Sequence, residues 1–102
     1  MKFEYDALAS MVINAMLGTT EPGKRMMVYG ARTGAWNFMI NYDEMHDQWT
    51  ATYQEREIVV GKKYSAIPCE PPLVITGKKY RYYKTREEAE AAAQRKFDQL
   101  QN

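Results

Sequence analysis

The stretch RMMVYGARTGAWNFMINYDEMHDQWTATYQ, residues 25 to 54, decides the fold. In Asn37-Phe38-Met39-Ile40-Asn41-Tyr42 the residues Phe38, Ile40 and Tyr42 share one face, and in Trp49-Thr50-Ala51-Thr52-Tyr53 so do Trp49, Ala51 and Tyr53. A period of two with β-branched and aromatic side chains is the pattern of a half-buried strand. Met26 to Ala31 reads as a third strand ended by a turn at Arg32-Thr33-Gly34. Residues 25 to 54 are therefore expected to form a three-stranded antiparallel meander.

Working outward, the spacing from Phe3 to Leu17 predicts a helix. Tyr5, Leu8, Met11, Val12, Ala15 and Met16 recur at i, i+3, i+4 and i+7, and Ile13 and Leu17 widen the face. So broad an apolar face is expected to lie deep against the sheet or to touch a partner. Gly18 supplies a left-handed stop, and Thr19 to Gly23 a turn. At the other end Thr85 followed by Glu88 reads as a capping box. Glu87, Glu88 and Glu90 sit at the positive end of the helix dipole, with Arg95 and Lys96 nearer the negative end. A helix from Arg86 to about Gln101 follows, with Ala89, Ala93, Phe97 and Leu100 as its apolar stripe.

Between these regions the sequence repeats itself briefly. Ile58-Val59-Val60-Gly61-Lys62-Lys63-Tyr64-Ser65 and Val74-Ile75-Thr76-Gly77-Lys78-Lys79-Tyr80-Arg81 share a GKKY core, and each is expected to form a hairpin with glycine at the turn. Pro68-Cys69-Glu70-Pro71-Pro72 reads as an irregular loop, because proline donates nothing to a ladder. The expected architecture is a single α+β domain over residues 1 to 102. It comprises an N-terminal helix, an antiparallel sheet of about five to seven short strands (a meander plus hairpins) and a C-terminal helix.

Composition narrows the function classes. The chain is 45% hydrophobic and 26% charged, an ordinary globular balance. No window approaches the ~18 consecutive apolar residues of a membrane span, and Glu4 and Asp6 fall where a signal peptide would be apolar. The lone Cys69 cannot form an internal disulfide, so a cytoplasmic, reducing location is expected. The net charge of +1 conceals an asymmetry. Residues 1 to 55 hold four basic and seven acidic groups, −3, whereas residues 56 to 102 hold ten basic and six acidic, +4. Within residues 61 to 86, seven basic groups face Glu70 alone, +6.

Four stretches carry candidate chemistry. Gly18-Thr19-Thr20-Glu21-Pro22-Gly23-Lys24-Arg25 follows a phosphate-binding loop for seven positions. It places Arg25 where a hydroxyl should hold Mg²⁺, and it follows a helix and precedes a strand, the reverse of what that mechanism needs. It is read as a plain turn. Asp43, Glu44, His46 and Asp47 gather in one expected hairpin tip, a solvated loop or an acidic contact surface whose spacing matches no metal loop. Cys69 and His46 are the only nucleophile and base candidates, with no glycine-rich elbow around the thiol. No catalytic residue, metal or cofactor is assigned, and the chain is expected not to be an enzyme. Finally, Lys62, Lys63, Lys78, Lys79, Arg81 and Lys84, interleaved with Tyr64 and Tyr80, are a candidate anion or nucleic-acid surface. Lysine attracts phosphate and tyrosine stacks on bases, although the same mixture also suits a solvated sheet edge.

Trp49-Thr50-Ala51, the GKKYS segment and Tyr83-Lys84-Thr85-Arg86-Glu87-Glu88-Ala89-Glu90-Ala91 together resemble the three-strands-then-helix wording of AP2-like and integrase arm-type DNA-binding domains. The likeness covers under half of the chain and is interrupted by residues 66 to 77. Its ending is a capped helix after a strand, which unrelated domains share, so it identifies no family.

Seven methionines, two tryptophans and eight tyrosines exceed what a small core needs and suggest an interface. The leading expectation is a small non-enzymatic protein-binding module. It would be a regulator or inhibitor of a larger partner, by size an accessory factor such as phages use against host machinery. The alternative is a nucleic-acid-binding protein using residues 61 to 86. No membrane partner is expected. Met27, Tyr29, Met39 and Tyr53 suggest apolar surface on both sheet faces, and hence a homodimer through the sheet.

Overall fold

The computed structural model describes residues 1–57, 59–63, 65–73, 77 and 79–101. In chain order they form β1 (Glu4–Tyr5), α1 (Ala7–Leu17), β2 (Met26–Thr33), β3 (Trp36–Asp43), β4 (Gln48–Glu55), β5 (Ile67–Pro68) and α2 (Arg86–Gln101). The fold is α+β, with a five-stranded antiparallel sheet in the order β1-β2-β3-β4-β5.

The meander forms because its turns suit it. Thr33 pairs with Trp36, so Gly34 and Ala35 make a two-residue hairpin in which Gly34 takes φ +57°, as its first central position requires. The strand thus runs two residues past the expected Ala31. Asp43 pairs with Gln48 around a four-residue tip in which Asp47 takes φ +49°. The register aligns Ala31, Phe38 and Tyr53, and Tyr29, Ile40 and Ala51, on one face.

That face carries the core, with α2 packed on β3 and β4. Phe38 and Ile40 are wholly buried. The Phe38 ring lies 5.7 Å from Tyr53 in a stacked arrangement and 5.9 Å from Phe97 edge to face. Ala89, Ala92 and Ala93 are fully buried, which lets the helix backbone come close to the sheet. Thr85 Oγ1 accepts from the Glu88 amide at 3.2 Å and begins α2 as the sequence predicts. Arg86 fastens that end. It donates to Glu90 at 2.9 Å and to the Phe3 carbonyl at 3.1 Å, and its guanidinium lies 4.5 Å from the centre of the Tyr29 ring.

Three expectations are corrected. The first helix starts at Ala7, not Phe3. Asp6 is its N-cap and accepts from the Ala9 amide at 2.9 Å, while Glu4 and Tyr5 pair with Gly30 and Tyr29 as an edge strand. Pro68 is not in a loop but in the two-residue edge strand β5, where its missing N–H faces away from the ladder. The first GKKY is not the tip of a tight hairpin: it lies in the long connection between β4, which ends at Glu55, and β5, which begins at Ile67, where the Lys62 amide donates to the Val59 carbonyl in a turn with Gly61 at φ +86°. Val74 to Thr76 and Lys78 of the second copy, with Ile58 and Tyr64 of the first, lie outside the described residues.

Candidate functional site

The largest deviation from the sequence pattern is α1. Its buried residues are polar, Ser10 and Asn14. Its apolar residues are exposed: Leu8 is 67% exposed, Met11 62%, Val12 48%, Met16 80% and Leu17 59%. The helix does not lie deep against the sheet. It touches β2 alone among the strands and runs beside that edge, where β1 ends.

Hydrogen bonding explains the inversion. A sheet edge presents amides and carbonyls that must find partners. The Asp6 amide donates to the Val28 carbonyl at 2.8 Å, and Ser10 Oγ accepts from the Val28 amide at 2.9 Å. Asn14 serves both sides of Met26, accepting its amide at 2.7 Å through Oδ1 and donating to its carbonyl at 2.9 Å through Nδ2. Asp6, Ser10 and Asn14 are spaced four apart, so one stripe of α1 seals the β2 edge. The apolar stripe turns away from the sheet as a result.

Beside α1 the second face of the sheet is open. Met26, Val28, Met39, Asn41, Asp43, Gln48, Thr50 and Thr52 point to it, as strict alternation requires. These residues floor a groove of about 830 Å³. Leu8, Val12, Ile13, Met16 and Leu17 form one wall, and Ala66, Tyr80 and Tyr82 form the other. Met39 lies in this floor, whereas Met27, Tyr29 and Tyr53 alternate onto the α2 face. The four residues expected to mark apolar surface on both faces thus divide three to one, with Met39 alone on the open face. Thr52 is 3% exposed and its hydroxyl makes no hydrogen bond among the described residues. The groove's charged lining residues are Asp6 and Asp43.

The sequence-predicted surfaces are dispersed. Lys62 pairs with Glu55, and Lys63 lies beside it near Trp36 and Ile67. Arg81 donates to the Pro71 carbonyl at 3.0 Å and lies 4.0 Å from Glu70. Lys79 sits 5.3 Å over the Tyr80 ring, and Lys84 is exposed just before α2. Tyr83 pairs with Trp49 at one end of β4, while Glu55 and Lys62 mark the other, about 20 Å away at strand rise. Lys62 and Lys63 therefore lie toward one end of β4 and Lys84 toward the other. Tyr64 and Lys78 lie outside the described residues.

The acidic tip is built as a loop. His46 Nδ1 lies 2.6 Å from Asp43 Oδ2, Glu44 accepts the Gly23 amide at 2.7 Å, and Asp47 accepts the Tyr42 hydroxyl at 2.6 Å. That last contact raises the Tyr42 phenol above its usual range. No group of three or more His, Cys, Asp and Glu side chains suited to a metal occurs among the described residues. Cys69 is buried in the core under α2, away from the exposed imidazole, and burial pushes its thiol up to about 12. It is protonated at neutral pH.

Glu70 beside it is a latch that sequence reasoning missed. It accepts from Arg95 at 3.1 and 3.2 Å and from the Tyr83 hydroxyl at 2.6 Å. The Arg95 guanidinium, with help from Tyr83, holds the carboxyl below its ordinary range. Its signal in the sequence was its isolation as the one acid among seven bases. No described helix is long and apolar enough to cross a membrane. Comparison of the chain with family models, with curated proteins and with solved structures returns no match, so the groove has to be interpreted from its own chemistry.

Proposed function

We propose that this chain is a non-enzymatic protein-binding module, a small regulator or inhibitor that holds a larger partner with the apolar face of α1 and the groove beside it. The observation that carries this reading is the inverted burial of α1. Exposing Leu8, Met11, Val12, Met16 and Leu17 forgoes on the order of 5 kcal/mol of burial, and edge sealing alone would be served as well by a helix with a polar outer face. Methionines at 11, 16, 26 and 39 make the surface adaptable to a partner's shape. The protonated core thiol of Cys69 and the distant His46 support a binding role over nucleophilic chemistry, and a lone buried thiol fits a reducing compartment.

The test compares two surfaces. Val12→Asp combined with Met16→Asp should leave thermal unfolding nearly unchanged and abolish retention of the proteins that the wild-type chain captures from a native lysate. Charge reversal of Lys62, Lys63, Lys78 and Lys79 should leave that capture intact at moderate salt. If instead the charge reversal abolishes capture, and the wild-type chain binds oligonucleotides with an affinity that falls steeply with salt, the nucleic-acid alternative holds.

A further inference from the structure

We propose that the groove receives an amphipathic helix of another protein, one whose apolar face is flanked at both ends by lysine or arginine. This inference rests on reading the groove as a protein-docking surface, and it adds the partner's shape and charge.

Shape comes first. Over the length of the groove the outer sides of β2 and β4 are occupied. β1, Asp6, Ser10 and Asn14 take up β2 from Met26 to Gly30, while β5, the Cys69 amide and Tyr83 take up β4 from Trp49 to Tyr53. An extended segment would find no ladder to join there, which leaves side-chain packing as the mode of recognition. The floor spans β2 to β4, two interstrand spacings or about 10 Å, and α1 is about 16 Å long. One helix of ordinary diameter and about three turns fits that space. It would complete a helix-sheet-helix sandwich opposite α2.

Charge comes second. Asp6 caps the start of α1, and Asp43 pairs with Met26, the residue held by Asn14 in the last turns of α1. The two carboxylates of the groove lining therefore stand near opposite ends of α1, Asp6 at its positive pole and Asp43 toward its negative pole. His46 holds the Asp43 carboxylate at 2.6 Å, and the lysine and arginine near that end are engaged elsewhere. Lys24 lies 3.3 Å from Glu21, and Arg25 Nε donates to the Thr20 carbonyl at 3.2 Å. Residues 1 to 55, which build α1 and the floor, carry −3 overall. A second copy of this chain docked symmetrically would bring these carboxylates against their own kind, an arrangement that like charges disfavour.

The test uses the full-length chain and three synthetic helical peptides with one common leucine face, flanked by lysine, serine or glutamate. Binding is read by fluorescence anisotropy. The lysine-flanked peptide should bind about tenfold tighter than the serine-flanked one, as two exposed ion pairs allow. Asp6→Asn with Asp43→Asn should erase that preference without changing affinity for the serine-flanked peptide, because asparagine caps a helix as well as aspartate. Equal binding of all three peptides would overturn the basic-flank inference and leave the docking surface standing. Failure of all three, with Val12→Asp/Met16→Asp converting a dimer to a monomer in sedimentation, would replace the partner helix by a second copy. Failure of all three with a monomeric wild-type chain would overturn both readings.

Discussion

The two helices of this molecule bury opposite kinds of residue. α2 carries seven charged side chains in sixteen residues yet seats Ala89, Ala92 and Ala93 in the core, with Phe97 and Leu100 packed against it. α1 carries no charge from Ala7 to Leu17 yet buries Ser10 and Asn14. The cause is what each helix faces. α2 lies on a sheet face made of side chains, where apolar burial stabilises it. α1 lies on a sheet edge made of backbone, where amides and carbonyls left without partners cost more than exposed methyl groups. Average hydrophobicity thus fails to rank these helices by burial.

The comparison breaks most directly at Asn14. Replacing it with leucine makes α1 still more apolar, which should stabilise the protein if the helix were held by its hydrophobic face. Asn14→Leu should instead destabilise by about 3 kcal/mol, since it strands both the amide and the carbonyl of Met26 and removes the partner of the Thr19 hydroxyl. Denaturant unfolding measures it, and an unchanged midpoint would refute the edge-sealing account.

A smaller effect belongs to the α2 side. Glu70 joins residues 69 to 71 to α2 through Arg95 and to the end of β4 through Tyr83. Glu70→Gln should cost about 1.5 kcal/mol, the worth of a hydrogen bond to a charged group. Because the folded carboxyl titrates below its unfolded value, its contribution is complete above the ordinary carboxylate range. It is lost as the pH falls from about 4.5 through the depressed folded value. Stability of the wild-type chain should therefore decline in that acid window more steeply than that of Glu70→Gln, by denaturant melts across pH.

The meander and α2 were legible because their signals are local and mutually consistent: strict alternation from Phe38 to Tyr42 and from Trp49 to Tyr53, and a threonine cap ahead of a glutamate-rich turn. β1 was not, because Tyr5 sits at a helical interval from Leu8. The contrary sign was Asp6, a strong N-cap, which places the helix start one residue later. Pro68 fits an edge strand only once the strand order is known. The groove was half legible. Methionine excess and a broad apolar helix pointed to an interface, but reading that helix as core-facing hid which surface was free. The signal was the Asp6, Ser10, Asn14 stripe, a polar row at helical spacing in an uncharged helix, and its meaning depends on the neighbouring strand being an edge, which the α1 sequence does not encode.

The sharpest form of the comparison carries the smallest expected change in stability. Met16 is 80% exposed and lies in the wall of the groove. If α1 is held by its polar stripe, Met16→Ser removes almost no buried area. It alters only helix propensity, by a few tenths of a kcal/mol, so the unfolding free energy should stay within about 0.5 kcal/mol of the wild type. The same substitution at a core methionine would cost several times more, as a cavity and a buried hydroxyl would both be created. Binding supplies the second readout, since the side chain lost is one that a partner helix would pack against. Unchanged stability with weakened binding of the leucine-faced peptides marks Met16 as an interface residue. A loss above about 2 kcal/mol would mean that the apolar face of α1 is buried in solution and that the groove is closed.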